Sequence, residues 1–233
     1  MENRKEYKFL FSNIELFEFF NYFNNGLKVI YPQRQISSIY FDTVNFTLFK
    51  NSLLNDVDKF KLRFRKYDNN KLIFQEQKIN SKYGKFKITN LTKYKKFDEI
   101  QSFTFKNYLL DKSLKVIYDR KYFQFKNVRI TLDSNLSFES TPNRDKLCKK
   151  KYFTQNIIEY KLIENNPDIE SFFLSNPTKF SKYEEGIKKI YNLNDYEKYL
   201  WKVNLIFLIF LELLLEMETE NLNFYLIFLA NYL

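Results

Sequence analysis

The chain has 233 residues, 45% of them hydrophobic and 20% aromatic, which is enough for one or two domains with a sizeable core. It has no histidine, which excludes histidine-based acid–base catalysis and histidine metal ligands, and its three glycines are too few and scattered for a P-loop or a dinucleotide fingerprint. The formal net charge of +10 divides into +13 for residues 1–200 and −3 for residues 201–233, which suggests a polyanionic partner or reflects a compositional bias toward Lys. The single cysteine, Cys148, excludes an intramolecular disulfide and fits a reducing compartment.

The predicted elements begin with a strand over residues 4–11, where polar and apolar side chains alternate, and a helix over residues 13–25 capped by Ser12 or Asn13. Further strands are predicted at 36–42, 59–67, 71–79, 84–90, 115–125, 127–133 and 156–163. Further helices are predicted at 43–54, 98–110, 168–175 and 180–192. Many strands with few helices predict an α+β fold, an antiparallel β-barrel with flanking helices.

The predicted domain boundary lies near residue 193, because no linker precedes it. Residues 1–192 are expected to form one domain, and residues 193–233 a hydrophobic C-terminal tail. The apolar run at 205–215 is short for a membrane span, which needs about 20 residues. Three interpretations of the tail stay open: a helical hairpin packed on the barrel, which we favour, a membrane-surface anchor, or an extension that is not native.

One face of the strand at 59–67 is strongly cationic. Side chains alternate between the two faces of a strand, so Phe60, Leu62 and Phe64 fall on one face. The other face receives Lys59, Lys61, Arg63, Arg65 and Tyr67. Neighbouring like charges repel, so this face is tolerable toward solvent but unfavourable inside a barrel unless it meets an anion.

Similar alternation recurs in other predicted strands. Glu-x-Lys occurs three times, as Glu6 with Lys8, Glu76 with Lys78, and Glu159 with Lys161. A single case indicates an ordinary solvated face. Seven strands with ionic groups on one face and apolar groups on the other indicate that helices cover the apolar face, while the ionic face points to solvent or into the barrel.

Eight short motifs occur in one order along residues 4–191. They are RKEYKF at 4–9, SIYFDT at 38–43, KLRFRKY at 61–67, EQK at 76–78, YDRKY at 118–122, RITLD at 129–133, EYK at 159–161, and FSKY at 180–183 followed by Gly186. In this order they resemble the VTC domain, the polyphosphate polymerase domain of the triphosphate tunnel enzyme (CYTH-like) superfamily. The resemblance implies a tunnel of eight antiparallel strands with flanking helices, open at both ends.

The same resemblance implies a set of site residues. Phosphate binding is expected from Lys8, Lys59, Lys61, Arg63, Arg65, Lys78, Lys85, Lys87, Tyr118, Arg120, Arg129, Lys161, Ser181 and Lys182. Within that set, the residues expected to serve catalysis are Lys8, Arg63, Arg65, Lys161 and Lys182. Mg²⁺ or Mn²⁺ is expected on Glu159, with Glu6 or Glu76 helping. Tyr40 and Phe41 are interpreted as core, and Asp42 and Thr43 as a strand end and helix cap.

The chain also departs from the family pattern. An E-x-K-x-K motif is reduced to Glu76-Gln77-Lys78-Ile79-Asn80, so one cation is missing. A lumen Arg common before the SIYFDT motif is Ser37 here, and Arg34 is expected on the wrong strand face to replace it. Removing one crowded cation, as in Arg65→Ala, is expected to abolish triphosphate binding while stability is kept or raised.

The implied activity is metal-dependent transfer of the γ-phosphoryl group of ATP, or of another triphosphate, to a growing polyphosphate chain. Tripolyphosphate hydrolysis and polyphosphate binding without turnover stay open, because the lumen residues would be similar. Nucleic acid is not expected, because most aromatic side chains lie opposite the cations and a stacking platform needs both on one face. The expected location is cytoplasmic, with a membrane partner protein left open.

Overall fold

The computed structural model describes residues 5–23, 26–54, 58–68, 70–162 and 177–193, apart from the side chains of Lys5 and Leu162. The chain divides into two compact units, residues 1–192 and residues 193–233. The predicted helix at 168–175 and the tail beyond Leu193 lie outside the described residues, so both stay predictions. In the part of the chain that is described, no helix has the length and apolar character needed to cross a membrane.

Strands dominate the described structure. They are β1 (Lys5–Phe11), β2 (Lys28–Asp42), β3 (Lys59–Tyr67), β4 (Ile73–Ser81), β5 (Gly84–Leu91), β6 (Phe103–Phe105), β7 (Tyr108–Phe125), β8 (Val128–Ser140), β9 (Lys150–Tyr152) and β10 (Asn156–Leu162). The helices are α1 (Asn13–Phe23), α2 (Thr47–Leu53), α3 (Lys182–Tyr191) and a single 3₁₀ turn at Phe97–Glu99. The eight predicted strands are present, and several extend further than the alternation indicated.

The sheet is antiparallel throughout and has the strand order β1-β10-β8-β7-β2-β3-β4-β5, with β6 beside β7 and β9 beside β8. The prediction of a closed barrel is wrong for the described residues, because β1 and β5 end the path and do not pair with each other. The outer edge of β1 instead receives a hydrogen bond from the Thr178 amide to the Lys8 carbonyl, at 2.7 Å. The Lys8 carbonyl of β1 is therefore already bonded to Thr178, which precedes α3, and not to a strand that would close the barrel.

The predicted helix at 98–110 is also wrong. Phe103–Phe105 forms β6, which returns through a two-residue turn into β7. The turn residues Lys106 and Asn107 have φ angles of 45° and 64°, the left-handed conformation that tight hairpin turns require at both positions. Phe103 and Phe105 flank Thr104, so this segment alternates with the period of a strand.

Helix α1 covers one part of the apolar face of the sheet. Its cap is Ser12: the Ser12 hydroxyl accepts from the Glu15 amide at 3.2 Å, and the Glu15 carboxylate accepts from the Ser12 amide at 2.7 Å. This reciprocal pair is a capping box, which fixes the start of the helix. Helix α1 contributes Phe19 and Phe23 to a buried core that it shares with β1, β7, β8 and β10.

A second apolar core lies behind β3. Leu62 and Phe64 are buried in it with Phe41 of β2, and Phe60 packs against it. The alternation predicted for β3 is therefore confirmed: its Phe and Leu side chains face the outer core. The opposite face of the same strands carries the ionic groups described below.

Helices α2 and α3 are both anchored at the end of β2. The Asp42 carboxylate accepts from the amides of Leu48, at 2.8 Å, and Phe49, at 3.0 Å, so it caps α2 as predicted. The buried hydroxyl of Tyr183 in α3 donates to the same carboxylate. Burial raises the pKa of Asp42 above its usual value, because these hydrogen bonds offset only part of the desolvation.

Gly186 lets α3 lie close against the sheet. A Cβ there would come within 2.5 Å of Leu114 Cδ2 and 2.7 Å of Phe138 Cδ1, and both of those side chains are completely buried. We expect Gly186→Ala to lower the free energy of unfolding by about 1–3 kcal/mol through overpacking, although alanine favours a helix. Thermal or denaturant unfolding measures this. Glu185→Ala on the same helix is the control, expected within about 0.5 kcal/mol of the unmodified protein; equal effects would contradict close packing at Gly186.

Candidate functional site

A face of the sheet, which we call the ionic face, carries Lys61, Arg63 and Arg65 of β3, Glu76 of β4, Arg120 of β7, Asp133 of β8, and Glu159 of β10. In a first cluster on this face, Arg63 donates to Glu76 Oε2 from Nε at 2.7 Å and pairs with it through NH2 at 2.6 Å. Arg65 NH1 lies 3.6 Å from the same oxygen, and Lys87 donates to Oε1 at 2.6 Å. Three cations thus share one buried carboxylate. Burial raises the pKa of Glu76, but Arg63, Arg65 and Lys87 together lower it to about 2.

Two hydroxyl groups orient these arginines further. Arg63 NH1 donates to the Tyr40 hydroxyl at 2.8 Å, and Arg65 NH2 donates to the Tyr118 hydroxyl at 3.1 Å. Burial raises the pKa of Tyr40, but the charges of Arg63 and Arg65 outweigh it and lower this pKa to about 8. Each guanidinium is therefore held in one orientation on the ionic face.

A second cluster joins β7, β8 and α3. Arg120 donates to both oxygens of Asp133, at 2.5 and 2.7 Å, and Lys182 donates to Asp133 Oδ2 at 2.6 Å. Burial raises the pKa of Asp133, but Lys182 and Arg120 lower it far below its usual range. The Lys182 ammonium also lies 4.7 Å from the centre of the Tyr118 ring, which links this cluster to Arg65.

A third cluster joins β1 and β10. The Lys161 ammonium lies 3.2 Å from both Glu6 and Glu159, and Lys8 lies 3.4 Å from Glu6. Burial raises the pKa of Glu6, yet Lys8, Lys161 and Lys78 lower it to about 2. For Glu159, burial and the Glu6 charge raise the pKa, while Arg120, Lys8 and Lys161 give a net lowering.

The three clusters lie on the same face of the sheet, and a further lysine stands among them. Lys78 of β4 is an exposed residue as a whole, but the surrounding protein desolvates its ammonium group. This desolvation and the charge of Arg63 lower the pKa of Lys78 to about 8 against the opposing effect of Glu6. Lys8 of β1 donates to Phe180 and Lys61 of β3 donates to Ser181, so residues 180 and 181 link the two halves of the sheet at the ionic face.

The start of α3 connects the clusters. Lys61 donates to the Ser181 hydroxyl at 2.9 Å and to Glu184 at 2.6 Å, while Lys8 donates to the Phe180 carbonyl at 3.2 Å. Together with the bond from Lys182 to Asp133, these contacts tie residues 180–184 to β1, β3 and β8. The predicted residues Ser181 and Lys182 therefore stand at the ionic face because α3 begins there.

The remaining predicted residues lie further from these clusters. Lys59 and Lys85 are register partners of Asn80, at the far end of β3–β5, and Lys85 is exposed. Arg129 is exposed and pairs in register with Lys161, and its guanidinium lies 5.4 Å from the centre of the Tyr122 ring. These three cations extend the ionic face without joining its carboxylates.

Comparison with known proteins identifies the family to which this chain belongs. A family model described as the VTC domain matches residues 3–191. The chain belongs to the VTC domain family. No curated protein matches this VTC domain.

Solved structures resemble this chain at low sequence identity, and the first of them shares its fold. A candidate adenylate cyclase from Bacillus halodurans has a TM-score of 0.50 and 14% identity, covering 82% of this chain and 99% of its own. A protein from Pyrococcus horikoshii has a TM-score of 0.49 and 16% identity, with coverages of 82% and 99%. A candidate adenylyl cyclase from Hippeastrum, described as having a dominant triphosphatase activity, has a TM-score of 0.44 and 13% identity, with coverages of 79% and 95%.

The carboxylates of this VTC domain differ in their capacity to hold a metal. Both oxygens of Glu76 already accept from cations at 2.6–2.7 Å, so its geometry does not fit the predicted metal role. Glu6 and Glu159 fit better, because their cations lie further away, at 3.2–3.4 Å, and both carboxylates converge on the same ammonium group, that of Lys161. Among the described residues no group of three Cys, Asp or Glu side chains is placed to hold a metal. Two carboxylates are the number that Mg²⁺ often takes from a protein when phosphate supplies the other oxygens.

Several residues of the site were missed by sequence reasoning. Tyr40 and Phe41 are buried core residues as predicted, but the Tyr40 hydroxyl also accepts from Arg63, a role that was not predicted. Asp133 and Glu184, which compensate Lys182 and Lys61, were not singled out. Asp133 shares strand parity with Arg129 in the RITLD motif, which is the signal that could have identified it.

The ionic face also carries tyrosine side chains, among them Tyr118, which was predicted to lie there. The Phe side chains of β3 face the outer core, but Tyr118 and Tyr122 share the ionic face with the cations. Arg34, expected on the wrong face, pairs in register with Arg120 and lies 5.9 Å from the centre of the Tyr122 ring. The face of Arg34 was judged by comparison with Ser37. That comparison was wrong, because Ser38, which accepts from Arg65, faces the site instead of Ser37.

The expectation for the stability of Arg65→Ala changes with this geometry. Arg65 is only 5% exposed, and its loss would leave the buried hydroxyls of Ser38 and Tyr118 without this donor. We expect Arg65→Ala to lower the free energy of unfolding by about 1–3 kcal/mol. Tripolyphosphate affinity should fall by about 1.5–3 kcal/mol, the contribution of a charged hydrogen bond. Calorimetric titration and unfolding test both, with Lys121→Ala, an exposed cation on the other face, as control; unchanged affinity would contradict the assignment.

Proposed function

We propose that this VTC domain binds a nucleoside triphosphate and polyphosphate at the ionic face and transfers the γ-phosphoryl group to the growing chain. The observation that carries the proposal is the convergence of Arg63, Arg65 and Arg120, each fixed by a carboxylate or a hydroxyl group, on one face. Phosphoryl transfer needs position and charge neutralisation more than a covalent nucleophile. A chain without histidine is therefore suited to it.

The arginines can bind phosphate without giving up their present partners. Arg63 contacts Glu76 through Nε and NH2 and Tyr40 through NH1. A guanidinium has five N–H donors, so donors remain for a ligand. Arg120 likewise uses Nε and NH2 for Asp133. Planar guanidinium groups held in this way are suited to bidentate contact with phosphate oxygens.

Lysines from several strands supply further positive charge. Lys8, Lys61, Lys78 and Lys161 reach the face from β1, β3, β4 and β10, and Lys182 reaches it from α3. A polyanion would raise the pKa of Lys78 from about 8, because it favours the charged form. Many separate cations suit a long polyphosphate, since each contributes part of the total affinity.

Glu6 and Glu159 are the residues that would hold Mg²⁺ or Mn²⁺, together with phosphate oxygens. A divalent cation bound there supplies charge neutralisation for the phosphoryl group. Lys161, which now bridges both carboxylates, would then be available to contact phosphate. In the transfer itself, a terminal oxygen of the polyphosphate chain forms the new bond to the γ-phosphorus as the bond to the nucleoside diphosphate breaks. Arg63, Arg65 and Arg120 are placed to neutralise the oxygens of the transferred group.

A product assay separates this proposal from its alternatives. Purified protein is incubated with ATP and Mn²⁺, and long-chain polyphosphate, orthophosphate and nucleoside diphosphate are measured. Long-chain product supports the polymerase, and orthophosphate alone supports a triphosphatase. Neither product, combined with tight tripolyphosphate binding, indicates a binding module. We place this activity in the cytoplasm, and a membrane partner stays a prediction.

A further inference from the structure

Beside the phosphate-binding residues lies a cluster of two tyrosines and two arginines: Tyr31, Arg34, Tyr122 and Arg129. The Arg34 guanidinium lies 5.7 Å from the centre of the Tyr31 ring and 5.9 Å from that of Tyr122. Arg129 lies 5.4 Å from the Tyr122 centre, and the two tyrosine rings meet edge to face at 5.6 Å. The cluster therefore offers two planar cations and two aromatic rings in one place.

Irregular pairing of β2 with β7 builds this cluster. Residues three apart in a regular strand point to opposite faces, so Tyr31 and Arg34 should be separated. The register shifts between Val29 and Tyr31 and again between Tyr31 and Arg34, which places Tyr31 opposite Tyr122 and Arg34 opposite Arg120. Such bulges re-aim side chains and are common beside active sites. Here they direct Tyr31 and Arg34 to the same face.

The two arginines of the cluster differ from those in the centre of the ionic face. Arg63, Arg65 and Arg120 each pair with a carboxylate. Over the described ranges, neither Arg34 nor Arg129 forms an ion pair with one. Arg34 also stands directly opposite Arg120 on the neighbouring strand, and like charges in such a pair repel each other. Among the described residues, the two arginines of the cluster therefore contact aromatic rings but no carboxylate.

We infer that this cluster receives the nucleobase of a nucleoside triphosphate whose phosphates lie on Arg120 and its neighbours, an inference that rests on the proposed function. Adjacency favours this ligand, because Arg34 and Arg120 are register partners and so the cluster adjoins the phosphate-binding residues. Exposure favours it too: the Tyr31 side chain is 49% exposed, and a base could stack on its ring. Arginine planes and tyrosine rings both stack with bases regardless of their identity.

The inference predicts that Tyr31 distinguishes ATP from inorganic tripolyphosphate. Both ligands are titrated calorimetrically into the unmodified protein, Tyr31→Ala and Tyr31→Phe. Tyr31→Ala should weaken ATP by about tenfold, as expected for loss of one aromatic stacking partner, and leave tripolyphosphate unchanged. Tyr31→Phe keeps the ring and should retain ATP affinity. Tyr22→Ala, an exposed aromatic residue of α1, is the matched control and should change neither.

Two results would overturn the inference, and a third would overturn the proposed function itself. Equal weakening of ATP and tripolyphosphate would overturn the inference, since the cluster would then act on phosphate. No weakening of ATP in Tyr31→Ala would overturn it as well. If the unmodified protein bound neither ligand, the proposed function would fail before Tyr31 was tested. A fluorescence-detected thermal scan of each variant confirms folding, so a loss of structure is not taken for a loss of stacking.

Discussion

Glu159→Gln is expected to abolish turnover of ATP in Mn²⁺ while largely sparing polyphosphate binding. Glu159 is 8% exposed, stands opposite Lys8 in the sheet, and lies 3.2 Å from Lys161. Polyphosphate is held by many cations, and removing a carboxylate from among them removes a repulsive charge. Binding should therefore hold or improve.

Transfer of the phosphoryl group should respond differently. Metal contributes several kcal/mol of transition-state stabilisation, and each 1.4 kcal/mol changes a rate about tenfold, so a loss of about 100-fold or more in kcat is expected. The chain has no histidine to replace the lost ligand. Glu6→Gln should lower turnover too, because Glu6 shares Lys161 with Glu159.

The measurement compares kcat and polyphosphate affinity in the same preparations. Glu139→Gln is the control, since Glu139 bridges Lys115 and Lys150 away from the ionic face. Turnover of Glu159→Gln at the unmodified rate would show that this metal assignment is wrong. Absence of turnover in the unmodified protein would make the binding module the better description.

Glu76→Gln is expected to produce the largest loss of stability. Its carboxylate, 3% exposed, is the shared partner of Arg63, Arg65 and Lys87. Removing one partner of a buried ionic network leaves uncompensated charge and lowers the free energy of unfolding by about 3–5 kcal/mol. Glutamine preserves the shape of the side chain, so the loss reports charge and not packing.

The pH dependence gives an independent measurement. The pKa of Glu76 is about 2 in the folded protein against 4.5 for an ordinary glutamate. A lowered pKa means that the folded state favours the ionised carboxylate. Its contribution to stability is therefore present above about pH 4.5 and is lost as the pH falls toward 2. Glu76→Gln should make the free energy of unfolding depend less steeply on pH in this window. Some pH dependence should remain, because Glu6 also contributes to it.

Glu139→Gln again serves as the control. Its lysine partners are more exposed, so a loss of no more than about 1 kcal/mol is expected. Tripolyphosphate should restore part of the stability of Glu76→Gln, because an anion that binds only the folded state adds stability by mass action. Equal unfolding midpoints for Glu76→Gln and the unmodified protein at pH 7 would contradict a buried ionic network.

The sequence by itself determined the local elements and the sides of the strands. The period of two in β3 separates Leu62 and Phe64 from Arg63 and Arg65, because a strand allows no other arrangement of successive side chains. The helix predicted at 13–25 is present as Asn13–Phe23, because its apolar spacing and the Ser12–Glu15 pair are local features. The order of the eight motifs was sufficient to indicate the family.

Only the tertiary structure decided which ionic groups meet. Asp133 joins Lys182 across 49 residues of chain, and Glu184 joins Lys61 across 123, so no local pattern reveals either contact. Cations that appear in the sequence as mutually repelling are compensated by carboxylates from other strands. Strand periodicity carries no information about such pairings, because they depend on register and curvature.

The same reason applies to the open edge of the sheet and to the tyrosine–arginine cluster. The barrel closes only if β1 pairs with β5. In the described part of this fold the two strands do not pair, and the amide of Thr178 donates to the Lys8 carbonyl of β1 instead. Tyr31 and Arg34 share a face only because β2 slips in register against β7. A slip of one residue reverses the facing of every later side chain, and it is set by packing between strands that the sequence period does not encode.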